Sequence, residues 1–138
     1  MSAHQPPHSE TRILIVDDEP VVVEFVERVL ETVGYQLMTA TSGDQALDLC
    51  TKQGIPHLLV TDMKMPRMEG DELASRLRQQ EPDLKVLYLT GFADLLFRNK
   101  EMLWDGEAYL EKPCTITGLL EAVSLLLSGQ VSAGPPDT

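Results

Sequence analysis

Five side chains in this 138-residue chain are of the types, and at the spacing, to handle a metal ion and a phosphoryl group: Asp17, Asp18, Asp62, Thr90 and Lys112. The acids follow short apolar runs, Ile13-Leu14-Ile15-Val16 before Asp17-Asp18-Glu19-Pro20 and Leu58-Leu59-Val60-Thr61 before Asp62-Met63-Lys64-Met65-Pro66. Three carboxylates brought together repel one another and need a cation to be stable. Mg²⁺ suits them, since it takes one or two carboxylates, waters and phosphate oxygens at roughly 2.0–2.1 Å. The Lys112 amine and the Thr90 hydroxyl could then hold the remaining phosphoryl oxygens as charge and donor. Asp62 is the best candidate nucleophile, because it alone ends the central strand and faces a flexible loop. Aspartate can form an acyl phosphate, and a metal beside it offsets the repulsion of the incoming donor. Gly91 leaves room above it.

Taken singly, each feature is ordinary. Asp17-Asp18 could be a strand end before a helix cap, Asp62 turn chemistry, Thr90-Gly91 a strand terminus and Lys112-Pro113 a simple turn. What joins them is order, since each stands at the end of a separate strand. Strands read at about 12–16, 36–40, 57–61, 84–89 and 106–110. Apolar runs this short, bounded by turn residues, are the habit of parallel sheets covered on both faces, where ligands bind at the carboxyl ends of the strands.

Helical patterns separate the strands. The first, about 20–33, opens at Pro20 and closes at Gly34, with Val22, Val26, Val29, Leu30 and Val33 as its buried face. Ser42 can cap a second, which runs to about 53 with Ala46, Leu47 and Cys50 on one side and Gly54 at its end. A third spans about 70–80, around Leu73, Ala74 and Leu77, and a less clean pattern covers 93–103. The last, about 115–128, is expected to bury Ile116, Leu119, Leu120, Val123 and Leu127, with Leu125 and Leu126 widening its apolar face. Alternation of this kind gives an α/β fold, a doubly wound five-stranded parallel sheet. The expected organisation is a disordered tail over 1–11, one domain over 12–128, and a second tail or linker stub over 129–138.

Composition narrows the function. A formal charge of −11 argues against a nucleic-acid-binding surface, which needs clustered Lys and Arg. No apolar run approaches the roughly 20 residues that cross a bilayer, and residues 1–11 lack the pattern of a secretion signal. Cys50 and Cys114 have neither disulfide density nor metal-ligand spacing, so both read as free thiols in a reducing cytosol. His4 and His8 lie in a Pro-bearing tail with no nearby Cys or Asp, which argues against a metal site there.

With these motifs, namely Ile15-Val16-Asp17-Asp18-Glu19, Asp62-Met63-Lys64-Met65-Pro66 with Gly70, Thr90-Gly91, and Tyr109-Leu110-Glu111-Lys112-Pro113, residues 12–128 resemble the CheY-like receiver domains of two-component response regulators. The resemblance implies a flavodoxin-like strand order 2-1-3-4-5. It implies that Asp62 is the phosphoacceptor, taking a phosphoryl group from a histidine kinase or histidine phosphotransfer protein. It implies Mg²⁺ (or Mn²⁺) at Asp17, Asp18 and Asp62, with the Lys64 carbonyl as a further ligand. Lys112 would pair with the phosphoryl group, across a cis bond to Pro113. Thr90 would be the switch hydroxyl and Tyr109 the aromatic that turns inward when Thr90 moves. The output would be a protein target met at the face around helix 93–103, the fifth strand and the last helix, in the cytoplasm.

Some positions depart from the family's common pattern. Lys64 and Phe92 occupy two variable positions that tune hydrolysis of the acyl phosphate, and a cation and an aromatic there imply a long-lived phosphoform. Cys114 stands where an aromatic often follows the Lys-Pro pair. The last helix lacks the basic positions of salt-bridged, DNA-binding dimers. The chain carries no DNA-binding or enzymatic output domain, so it reads as a stand-alone regulator or relay, or as a receiver from a hybrid histidine kinase or larger regulator. Other classes fit less well. A haloacid-dehalogenase-type phosphohydrolase needs an acid two residues after its nucleophile, where Lys64 stands. A flavin-binding module would find its phosphate repelled by Asp17, Asp18 and Glu19. A phosphorylation-independent interaction domain would not need the full set of switch residues.

Overall fold

The computed structural model describes residues 8–91 and 106–128. Five strands, β1 (Arg12–Val16), β2 (Gln36–Ala40), β3 (Leu58–Asp62), β4 (Lys85–Thr90) and β5 (Glu107–Glu111), form one parallel sheet in the order β2-β1-β3-β4-β5. The described helices are α1 (Pro20–Glu31), α2 (Gly43–Gln53), α3 (Gly70–Arg78) and α4 (Ile116–Ser128). The expected helix over 93–103, Phe92, residues 1–7 and residues 129–138 lie outside the described residues.

Alternate side chains of the strands point to opposite faces, and each face has its own core. Leu14, Val16, Leu59, Val86 and Tyr88 pack against Ala46 and Cys50 of α2 and Leu73 and Leu77 of α3. Ile13, Ile15, Val60, Leu87 and Leu89 pack against Val23, Val26 and Leu30 of α1 and Leu119, Val123 and Leu126 of α4. Each fully buried side chain of this size contributes roughly 1.5–3 kcal/mol. Every residue of β3 is buried, so Asp62 ends the central, fully covered strand of the sheet.

The helix boundaries follow local chemistry. Pro20 starts α1 without needing an amide partner. The Ser42 hydroxyl accepts the Gln45 N–H at 3.1 Å and caps α2 as expected. Gly54 caps the end of α2 and Gly34 follows α1, with φ of 92° and 99°, a region open to glycine. Arg12 closes the far end of α2, its guanidinium donating to the carbonyls of Gln53, Gly54 and Ile55 at 2.8, 3.2 and 3.1 Å.

Two helical faces differ from expectation. Val23 of α1 is buried and Val22 only partly so, because the stripe runs 23, 26, 30 toward the sheet. On α4 the stripe is Leu119, Val123 and Leu126, while Ile116, in the first turn, is 56% exposed and Leu120 and Leu127 are half-buried flanks. An all-leucine run hides its phase, and only the sheet selects which of its residues face inward. The stretch before β1 also carries structure. His8–Glu10 form a turn of 3-10 helix, the Ser9 carbonyl accepts the Gln36 side-chain amide at 2.6 Å, and Thr11 is buried.

Candidate functional site

The parallel sheet brings the ends of β1, β3, β4 and β5 to one edge, and all five residues picked out for chemistry stand there. Asp17, fully buried, follows β1; its Oδ1 accepts the Glu19 N–H at 2.9 Å, which turns the chain into α1. Asp18 beside it is exposed. Asp62 is the last residue of β3 and is 6% exposed. Oxygens of Asp17, Asp18 and Asp62 all lie within 4.8 Å of one another. Lys112, just past β5, reaches back across the edge, with Nζ at 3.0 Å from Asp17 Oδ2, 3.3 Å from Asp62 Oδ1 and 4.0 Å from Glu19 Oε1. Its peptide bond to Pro113 is cis, and its N–H donates to the Thr90 carbonyl at 2.8 Å. Thr90, at the end of β4, is fully buried.

Among the described residues this is an electrostatically unfinished arrangement, with three carboxylates around the Lys112 amine. Burial, and then the charge of Asp17, push the Asp62 carboxyl up to about 6 from the ordinary 3.8 despite Lys112 beside it. Burial likewise raises Asp17, against the Glu19 N–H and the Lys112 bond that favour its ionised form. Burial disfavours the charged form of Lys112, but its bond to Asp17 and the charges of Asp17 and Asp62 outweigh that and raise it. The ammonium therefore stays protonated. A divalent cation fits this oxygen-only donor set, since it would relieve the repulsion that one amine leaves.

The loop after β3 is held from below. Met63, Met65 and Met68 are buried, whereas Lys64, Pro66 and Arg67 between them are exposed. Lys64 turns its amine to Glu69 at 3.3 Å. A Cβ on Gly70 would stand 2.1 Å from the Asp62 carbonyl oxygen, so only glycine lets α3 begin this close to the site. The Thr61 hydroxyl donates to that same oxygen at 3.0 Å. The methionine anchors escape a reading by residue type, because alternate apolar residues in a loop resemble a strand. Tyr109 lies on β5 directly beside Tyr88 of β4, the ring centroids 5.4 Å apart.

An apolar hollow opens beside Lys112, lined by Val21, Val22, Phe25, Leu89, Pro113 and Cys114. Cys50 and Cys114 are free thiols, as expected. Among the described residues no helix is long and apolar enough to cross a membrane.

A family model described as the response regulator receiver domain matches residues 13–124. The chain is 31% identical to the C4-dicarboxylate transport transcriptional regulatory protein DctD of Pseudomonas aeruginosa, over 89% of this chain and 26% of that protein. It is 33% identical to sporulation initiation phosphotransferase F of Bacillus subtilis, over 84% of this chain and 93% of that one. Among solved structures, the receiver domain of the hybrid histidine kinase CckA superposes with a TM-score of 0.70 at 29% identity, covering 84% of this chain and 98% of the other. The chain thus spans about a quarter of one relative and nearly the whole of another. With its sheet order, its acid cluster and these likenesses, the chain belongs to the response regulator receiver domain family.

Proposed function

We propose that Asp62 accepts a phosphoryl group from a phosphohistidine, carried by a histidine kinase or a histidine phosphotransfer protein, and that this sets the state of a partner-binding face. The observation that carries this reading is the placement of Asp62, buried at a strand end with Lys112 Nζ at 3.3 Å and two further carboxylates within 4.8 Å. An Asp62 oxygen forms the new bond to phosphorus while the bond from phosphorus to the imidazole nitrogen breaks. The electron pair stays on that nitrogen, and the ring leaves neutral when its other nitrogen is already protonated and otherwise takes one proton from water. With its carboxyl at about 6, Asp62 is mostly ionised near neutral pH and so able to attack. Lys112 moves from balancing the acids to pairing with a phosphoryl oxygen, and Thr90 donates its hydroxyl to another.

Asp17, Asp18, Asp62 and the Lys64 carbonyl would hold Mg²⁺ or Mn²⁺, which would supply positive charge where the carboxylate and the phosphoryl donor meet. Thr90 and Tyr109 then act as the switch pair, and the output face includes β5 and α4. Residues 93–103, the other element expected there, lie outside the described residues. In this reading the chain is a cytoplasmic signalling switch that catalyses only its own phosphorylation and dephosphorylation. It works as a stand-alone regulator or as the receiver of a hybrid kinase or larger regulator.

The test is incubation with acetyl phosphate and Mg²⁺ followed by intact mass. One phosphate adduct is expected on the wild type and none on Asp62→Ala or in excess chelator. No adduct on the wild type, or an adduct that survives in Asp62→Ala, would overturn the reading.

A further inference from the structure

The strand register places Tyr88 between the two proposed switch residues. On β4, Tyr88 and Thr90 are two residues apart and share a face of the sheet. On β5, Tyr109 is the direct register partner of Tyr88, and Glu107 and Glu111 flank it on the same face. The Tyr88 ring is 1% exposed and packs into the core formed with α2 and α3. It meets the Tyr109 ring at 5.4 Å with an interplanar angle of 47°, within the range of favourable aromatic pairs.

Tyr88 is itself held at its far end. Its hydroxyl donates to Glu107 Oε2 at 3.3 Å, and the same oxygen accepts Arg78 Nη1. Arg78 is fixed in turn, with Nε and Nη2 donating to the Leu84 carbonyl at 3.2 and 3.0 Å. Burial and the Glu107 charge raise the Tyr88 phenol well above its usual range, so it remains a donor. The result is a continuous set of contacts from the end of α3, through Glu107 and Tyr88, to Tyr109.

We infer that Tyr88, tethered through Glu107 to Arg78, is a positioning residue for Tyr109: it fixes the surface on which the Tyr109 ring rests and thereby sets the balance between that ring's arrangements. The inference rests on the reading of Tyr109 as the switch aromatic. The Tyr88 hydroxyl bonds to Glu107 and not to Asp17, Asp18, Asp62 or Lys112, so it acts on the response and not on the phosphorylation chemistry. The tether stabilises the ring arrangement seen here, and loosening it frees Tyr109 to leave that arrangement.

The chain has three tyrosines, so ring-labelled [¹³Cε]tyrosine gives a spectrum simple enough to follow each one. Tyr88→Phe keeps the ring and removes the tether, and Glu107→Gln weakens the tether while keeping the shape. In both, the acetyl phosphate reaction at Asp62 is expected to run at the wild-type rate by intact mass. The Tyr109 signal of the unphosphorylated variants is expected to move toward the position it takes in phosphorylated wild type. Tyr35, which packs in the opposite core, is expected to stay in place, and this separates repositioning of Tyr109 from general loosening. A Tyr109 signal and phosphorylation response identical to wild type in Tyr88→Phe would overturn the inference alone. A wild-type Tyr109 signal that stays put on phosphorylation would remove the switch reading, and the inference with it.

Discussion

Two groups of buried charge in this molecule are built on opposite plans. Away from the site, acid and base are matched: Glu107, 1% exposed at its side chain, meets the Arg78 guanidinium, whose other donors are taken up by the Leu84 carbonyl. Arg12 is matched in the same way by three backbone carbonyls at the end of α2. At the carboxyl edge, among the described residues, three acids gather around the amine of Lys112. Matched charge fixes elements relative to one another, whereas unmatched charge costs stability and is kept where a cation and a phosphoryl group can complete it. The contrast supports placing the proposed function at the edge where the electrostatics are left open.

The largest effect that tests this contrast is removal of Lys112, the cation that meets the acids among the described residues. Lys112→Met leaves Asp17 and Asp62 buried without a partner, and is expected to destabilise the metal-free protein by about 3–5 kcal/mol at neutral pH. The loss should shrink as pH falls toward 4 and the acids take up protons. Denaturant unfolding at the two pH values measures it.

Neutralising one acid in each region should then give opposite signs. Asp62→Asn is expected to stabilise the metal-free fold by on the order of 1–3 kcal/mol at neutral pH, while Glu107→Gln should destabilise by a similar amount. Equal signs in thermal unfolding would break the comparison. A related dependence follows from pH alone. In the folded chain Asp62 keeps its proton up to about 6, whereas 3.8 is the ordinary value that the unfolded chain approaches. Between those values the folded state binds more protons, so rising pH lowers its stability. Metal-free protein is expected to lose stability as pH rises from about 4 to about 7, and Mg²⁺ at neutral pH should restore it by binding the folded state alone.

The smallest effect concerns Lys64, whose exposed amine is paired with Glu69. If it shields the acyl phosphate from water, Lys64→Ala should speed decay of the phosphoform by a few-fold, under about 1.4 kcal/mol in barrier. A wild-type half-life of seconds would remove the shielding idea altogether.

The sheet and its edge were legible from the sequence because both are written locally. Short apolar runs ending in Asp17, Asp62, Thr90 and Lys112 declare strand, face and edge together, and the helix signals at Pro20, Ser42, Gly34 and Gly54 needed no distant partner. What could not be read depended on contacts between remote residues. Arg78 and Glu107 are separated by 29 positions, and neither residue type announces a buried pair. The same holds for Arg12 reaching the end of α2 across about 40 positions of chain. In α4 the leucine-rich pattern pointed to too many inward residues, and only packing against β4 and β5 chose Leu119, Val123 and Leu126. Met63 and Met65 were visible as part of a motif, but their task of pinning the loop beside Asp62 required the fold.

The central claim is that, of the three clustered acids, Asp62 alone takes the phosphoryl group. Acyl phosphate formed with acetyl phosphate and Mg²⁺ can be reduced with borohydride, which converts the phosphorylated aspartate to homoserine, and the position read by peptide mass mapping. The account predicts homoserine at position 62 and unaltered aspartate at 17 and 18. Homoserine at 17 or 18, or a phosphate adduct that leaves no reduced aspartate, would contradict it.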